Sequence, residues 1–132
     1  ALYNAAFHQL VTVDRHGLVC VWEMATGEQH FKFFVETKVD DGIFVELTCA
    51  CFDNMHRKLL VGFSNGVVHS YNFNNGLQIN TFSTESQSAI VQVSMSPHER
   101  RGSRELKSLI FAIGMESSIY YWKGIGHPTG AR

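Results

Sequence analysis

Three stretches of the chain can be laid on one another without a gap. They run from Leu10 to Trp22, from Leu59 to Tyr71 and from Ile110 to Trp122. Each is an apolar run, a polar turn and a second apolar run, closed by an aromatic residue twelve positions after its start. The closing aromatics recur at roughly 50 residues, the spacing of repeat architectures in which one supersecondary unit is copied along the chain. A copied unit points to a scaffold, because no copy carries an evident catalytic set.

The register extends outward from these cores. Seven positions separate Tyr3 from Leu10 and Phe52 from Leu59, and five separate Trp22 from Gly27 and Tyr71 from Gly76. The segments after those glycines are rich in aromatic and branched residues that favour strands. Each unit therefore reads as four short strands. The first comprises Leu10–Asp14, Leu18–Met24 and Glu28–Val35, its innermost strand cut off by the start of the chain. The second comprises Phe44–Phe52, Leu59–Phe63, Val67–Phe73 and Leu77–Ser83. The third comprises Ile90–Ser96, Ser108–Gly114 and Ile119–Lys123, without an outer strand. Asn65-Gly66 is a strong hairpin signal, and His16-Gly17 sits at the matching turn. Strands such as Ile110–Ile113 are apolar on both faces, which suits sheets covered on both sides. The expected fold is all-β, a β-propeller fragment of about two and a half four-stranded blades. Residues 1–36 form a blade with a truncated first strand, 44–83 a complete blade, 90–124 a blade lacking its outer strand, and 125–132 a tail or linker.

Composition agrees with a folded chain. Of 132 residues, 45% are hydrophobic and 17% charged, which argues against disorder. A net charge of −1 argues against a dedicated nucleic-acid or membrane-surface binder. No apolar run is long enough to span a bilayer as a helix. No signal peptide opens the sequence, and a start at Ala1 without methionine suggests a piece of a longer protein. Three cysteines, an odd number, suggest free thiols in a reducing compartment. Cys20, Cys49 and Cys51 lack zinc-site spacing and read as small core hydrophobes.

At Gly17–Glu23 and Gly66–Asn72 the sequence resembles the WD-repeat family of β-propellers. The third copy, Ser117–Lys123, keeps Trp122 but loses the glycine, and the second has Tyr71 in place of tryptophan. The resemblance covers almost the whole chain. It implies structural roles for Trp22, Tyr71, Trp122, Thr12, Gly17 and Gly66. It also implies a hydrogen-bond network joining tryptophan, a Ser/Thr on the second strand, a turn aspartate and a histidine. Only Thr12 and Trp22 match that set. Val61 and Ala112 replace the Ser/Thr, and His16, Asn65 and Glu116 stand at the aspartate position. The blades are therefore expected to depend mainly on packing. The segments Tyr3–Val13, Cys51–Asp53 and Tyr71–Gly76 also look like long WD-repeat proteins associated with motile cilia. No EF-hand loop, often present in that group, occurs here.

Single motifs add little chemistry. Gly62–Gly66 matches the nucleophile-elbow pattern around Ser64, but that elbow needs a helix after the serine, and the repeat puts a strand there. The seven histidines are scattered, with no metal-ligand spacing. His69 is expected to be partly buried with a backbone partner. The third unit carries an insertion, eight residues longer than the matching intervals, that holds His98–Lys107. Arg100, Arg101, Arg104 and Lys107 in it could meet an acidic partner such as a tubulin tail, and Ser103 fits a basic-directed phosphorylation pattern.

The functional expectation is a non-catalytic protein-interaction scaffold in a large assembly, the axoneme of motile cilia being the location that the narrower resemblance implies. The alternatives are a cytosolic signalling or coat adaptor of the same fold and, remotely, a serine hydrolase using Ser64. No cofactor and no metal are expected. Partners are other proteins, the remaining blades of the same chain and microtubule-associated axonemal proteins, with no nucleic acid, membrane or small-molecule substrate. The expected location is cytoplasmic or cytoskeletal. Contact residues are expected at blade ends: Arg15, His16, Asn65 and Glu116 on one face of the ring, and the insertion on the other.

Overall fold

The computed structural model describes residues 1–37, 44–53, 56–73, 75–96, 100–101, 104–105 and 109–123. Regular structure among them is entirely β-strand. The first blade is an antiparallel sheet of β1 (Leu2–Asn4), β2 (Gln9–Val13), β3 (Leu18–Glu23) and β4 (Gln29–Phe34), in that order. The second repeats it with β5 (Leu47–Phe52), β6 (Lys58–Phe63), β7 (Val67–Asn72) and β8 (Gln78–Ser83). In the third, β9 (Ile90–Met95) is followed by a small hairpin of β10 (Arg100–Arg101) and β11 (Arg104–Glu105). Then come β12 (Leu109–Gly114) and β13 (Ile119–Lys123), and the third sheet has the order β13-β12-β9.

The innermost strand of the first blade, expected from sequence only as truncated and given no bounds, is the three-residue β1. β1 pairs with β2 through Leu2↔Val11, Tyr3↔Leu10 and Asn4↔Gln9. Three residues ending in a polar asparagine give no periodicity to read, so only the pairing reveals the strand. Asn4 is fully buried, and its side-chain amide donates to the His56 carbonyl in the neighbouring blade at 3.2 Å. The other notable shift is at β5, which starts at Leu47, with Phe44 left as an isolated bridge.

The repeat holds in three dimensions. Trp22 stands opposite Leu10, Tyr71 opposite Leu59 and Trp122 opposite Ile110. Alternation along each strand sends successive side chains to opposite faces. Thus Leu59 and Val61 enter the seam with Val11, Val19 and Val21 of the first blade. Leu60, the residue between them, enters the seam with Ile110, Ala112 and Trp122 of the third. Removing each such side chain from water contributes roughly 1.5–3 kcal/mol, and this explains strands apolar on both faces. On the far side of the third blade the pattern continues without a cover. Ile119 is 69% exposed and Tyr121 56% exposed, whereas Val68 and Ser70 at the matching positions are 0% and 2% exposed.

Candidate partner-binding faces and the seams beneath them

Antiparallel pairing gathers three turns at one end of the blades. They join β2 to β3, β6 to β7 and β12 to β13, and they carry Arg15 and His16, Asn65, and Glu116 respectively. The β9–β12 connection, with Arg100, Arg101 and Arg104, leaves from the other end. Ser103, Lys107 and residues 125–132 lie outside the described residues.

The turns are held by short-range bonds. Asp14 Oδ1 accepts from the His16 and Leu18 amides, both at 2.9 Å. Asp53 Oδ1 does the same at the far end, accepting from Arg57 at 2.8 Å and Lys58 at 3.0 Å. These are aspartate turns in which the side chain replaces a backbone partner. Gly17 and Gly66 take φ of 98° and 84°. A Cβ on Gly17 would lie 2.5 Å from the Val35 carbonyl oxygen, and one on Gly66 would lie 2.5 Å from Thr84 Oγ1. Only glycine combines that backbone with that approach. Each glycine carbonyl accepts from the residue that follows the outer strand, Val35 at 2.7 Å and Thr84 at 3.0 Å. Arg15 and His16 are exposed, and the Arg15 carbonyl accepts from Leu47 of the next blade at 3.1 Å.

Each blade has its own polar tie. In the first, the Trp22 indole N–H donates to Thr12 Oγ1 at 3.0 Å, the one pair that the family resemblance implied. In the second, where Val61 cannot accept, the Tyr71 hydroxyl meets His69 Nδ1 at 2.9 Å. His69 therefore pairs with a side chain, not with the backbone group expected from sequence. In the third, the Tyr120 hydroxyl meets Glu116 Oε1 at 2.6 Å and Ser86 Oγ at 2.9 Å, and the Ser86 hydroxyl donates to Glu116 Oε1 at 3.0 Å. Packing is thus not the only support: the first blade has the Thr12–Trp22 tie, and other residues replace it in the second and third. Ser86, Tyr120 and Asp14 were not singled out by sequence. Only Asp14 left a signal there, as an aspartate opening a turn before glycine.

Electrostatics follow these contacts. The Tyr120 bond foremost, with the serine bonds, holds the Glu116 carboxyl down to about 2. Burial lowers the His69 pKa and raises that of Tyr71. Burial pushes the Cys51 thiol up to about 12, with Cys49 and Asp53 adding to it, and raises Cys49 as well. All three cysteines are free. No group of three metal-ligating side chains occurs among the described residues. Ser64 Oγ accepts from the Glu46 amide at 3.0 Å, and strand β7, not a helix, follows it.

Tilted aromatic pairs cross the seams in a fixed way. Phe33 on β4 lies 6.3 Å from Tyr71, and Phe82 on β8 lies 5.5 Å from Trp122, centroid to centroid. Phe33 stands opposite Val19 and Phe82 opposite Val68, so the two phenylalanines occupy one register position. Trp22, on the face turned away from the second blade, is half-buried.

These sheets and turns are those of β-propeller blades, and the relatives they resemble are WD-repeat proteins. No protein-family model matches the chain. It is 29% identical over 99 residues to "WD repeat-containing protein on Y chromosome" of Drosophila willistoni, covering 70% of this chain. The counterpart of the same name in Drosophila virilis is 28% identical over 99 residues, again covering 70% of this chain. The chain spans only 9% and 8% of the lengths of these relatives. Among solved structures it resembles Saccharomyces cerevisiae Sqt1, with a TM-score of 0.69 and 16% identity, over 92% of this chain and 30% of that one.

Proposed function

We propose that these blades belong to a non-catalytic protein-interaction scaffold within a large assembly. One observation carries this reading: the strands are committed to the seams, while the turns at one end of the first and third blades are exposed and chemically different. Arg15 and His16 lie exposed in the first, and Met115 and Glu116 in the third. Loops held by a rigid sheet are where such proteins place recognition. Replacing Arg15, His16 and Met115 together by alanine in the full-length protein should reduce the partners that co-purify with it. An unchanged partner set would remove this face from recognition. The basic insertion at the other end is the second candidate contact, for an acidic partner. Neutralising Arg100, Arg101, Arg104 and Lys107 should then lower incorporation into the assembly and its sensitivity to salt.

We extend the proposal to the axoneme of motile cilia, on the strength of the repeat resemblance. A tagged full-length protein should travel with axonemes. Its appearance on membrane coats or signalling complexes would favour the adaptor reading instead. The position of Ser64 in a strand–turn–strand hairpin speaks for a non-catalytic role. Labelling of Ser64 by a fluorophosphonate probe would overturn that.

A further inference from the structure

The two seams share one construction, and the first blade carries half of it. Toward the preceding blade, the second presents Leu59, Val61 and Tyr71, and the third presents Ile110, Ala112 and Trp122, each 2% exposed or less. The matching residues of the first blade are Leu10, Thr12 and Trp22. All three are partly open to solvent. Their polar atoms do not call for water, because the Trp22 indole N–H and Thr12 Oγ1 satisfy one another at 3.0 Å. What remains is an apolar face, the kind that gains by being covered.

In both seams an outer-strand ring does the covering. Phe33 follows Trp22 by eleven positions and meets Tyr71 of the next blade. Phe82 follows Tyr71 by eleven and meets Trp122. The Phe33 ring also rests against Gly76, five positions after Tyr71, where a Cβ would lie 2.7 Å from Phe33 Cγ. Gly27 stands five positions after Trp22, with φ of 75° against 72° at Gly76. A Cβ on Gly27 would have no described atom within 4 Å. Among the described residues no ring contact reaches Trp22. The closing aromatic and its glycine are thus in place on the first blade, in the backbone conformation that receives Phe33 on the second.

We infer that the face bearing Leu10, Thr12 and Trp22 is a further seam, and that it receives one aromatic side chain, set between Trp22 and Gly27, from the outer strand of another blade of the same polypeptide. Both seams described above join blades of one chain, and the relatives extend far beyond the region matched here. A second copy fits less well. It would approach with its third blade, whose sheet ends at β13 among the described residues and so offers no outer-strand ring. The inference stands apart from the scaffold reading and removes this face from those free to recognise a partner.

The test places the photocrosslinker p-benzoylphenylalanine at position 22, and separately at position 122, of the full-length protein. Crosslinked peptides are identified by mass spectrometry. The label at 122 should capture the peptide holding Phe82. The label at 22 should capture a peptide of the same polypeptide with an aromatic residue eleven positions after the closing aromatic of its own repeat. In a mixture of light and heavy nitrogen preparations, only unmixed pairs should form. Capture at 122 with none at 22, a mixed-isotope pair, or capture of a different protein by the label at 22 would overturn the inference. Hydroxyl-radical footprinting of the unsubstituted full-length protein decides without any variant. Trp22 should be oxidised within about threefold of the rate of Trp122, and a larger ratio would leave the face open and the inference wrong.

Discussion

The Phe82 ring lies 5.5 Å from the Trp122 indole at an interplanar angle of 35°, joining the outer strand of one blade to the third strand of the next. One blade earlier, Phe33 meets Tyr71 in the same register, at 6.3 Å. The repeat's closing aromatic is therefore half of an inter-blade pair whose other half is an outer-strand phenylalanine. Such pairs add to the area that the seam buries.

Trp122 is 2% exposed and fills the seam, so Trp122→Ala should cost about 3–5 kcal/mol of stability. Thr12→Val removes only the acceptor of the Trp22 bond and should cost about 1 kcal/mol. Denaturant unfolding of the full-length protein measures both. A Trp122→Ala loss no greater than that of Thr12→Val would mean that the seam does not depend on this ring.

Gly66→Ala should destabilise by more than about 1 kcal/mol, because φ is 84° and the new Cβ would lie 2.5 Å from Thr84 Oγ1. Adding Thr84→Ala should recover only part of the loss. Gln87 Cα would still be 2.9 Å away, and the bond from Thr84 Oγ1 to the Gly66 carbonyl would be gone. Thermal unfolding of the single and double variants tests this coupling. Full recovery would show that Thr84 alone sets the constraint.

Tyr120→Phe deletes the first cause of the low Glu116 pKa, so the carboxyl should titrate higher, toward its ordinary value of 4.5. The sign is that of a depressed acid. The ionised Glu116 supports the fold above pH 4.5, and this support fades as pH falls toward about 2. Carboxyl NMR of the wild type and Tyr120→Phe reads the shift directly. An identical titration in both would assign the depression to the bonds from Glu116's own backbone and the serines.

Much of this architecture was legible because strand and turn chemistry repeats locally. The apolar runs around His16-Gly17 and Asn65-Gly66 follow from spacing within one unit, and the pairing of Thr12 with Trp22 is what the family resemblance implied. What stayed hidden joins residues that spacing does not link. Ser86 reaches Tyr120 across 34 positions, and Asn4 reaches His56 across 52. The His69–Tyr71 tie is close in sequence, yet an i, i+2 pair on a strand looks like ordinary alternation until the ring orientations are known. A cavity lined by Glu36, Val45 and Asn65 was equally unreadable, since the first two come from a connection without repeat character.

The order of the aromatic pairs has a consequence for biosynthesis. In both seams the phenylalanine comes earlier in the chain than the aromatic it receives: Phe33 before Tyr71, Phe82 before Trp122. As a ribosome extends the polypeptide, each nascent sheet therefore emerges beside a platform that already exists. Vectorial assembly would suit this order, and a lesion in one phenylalanine should then fall on the blade synthesised next.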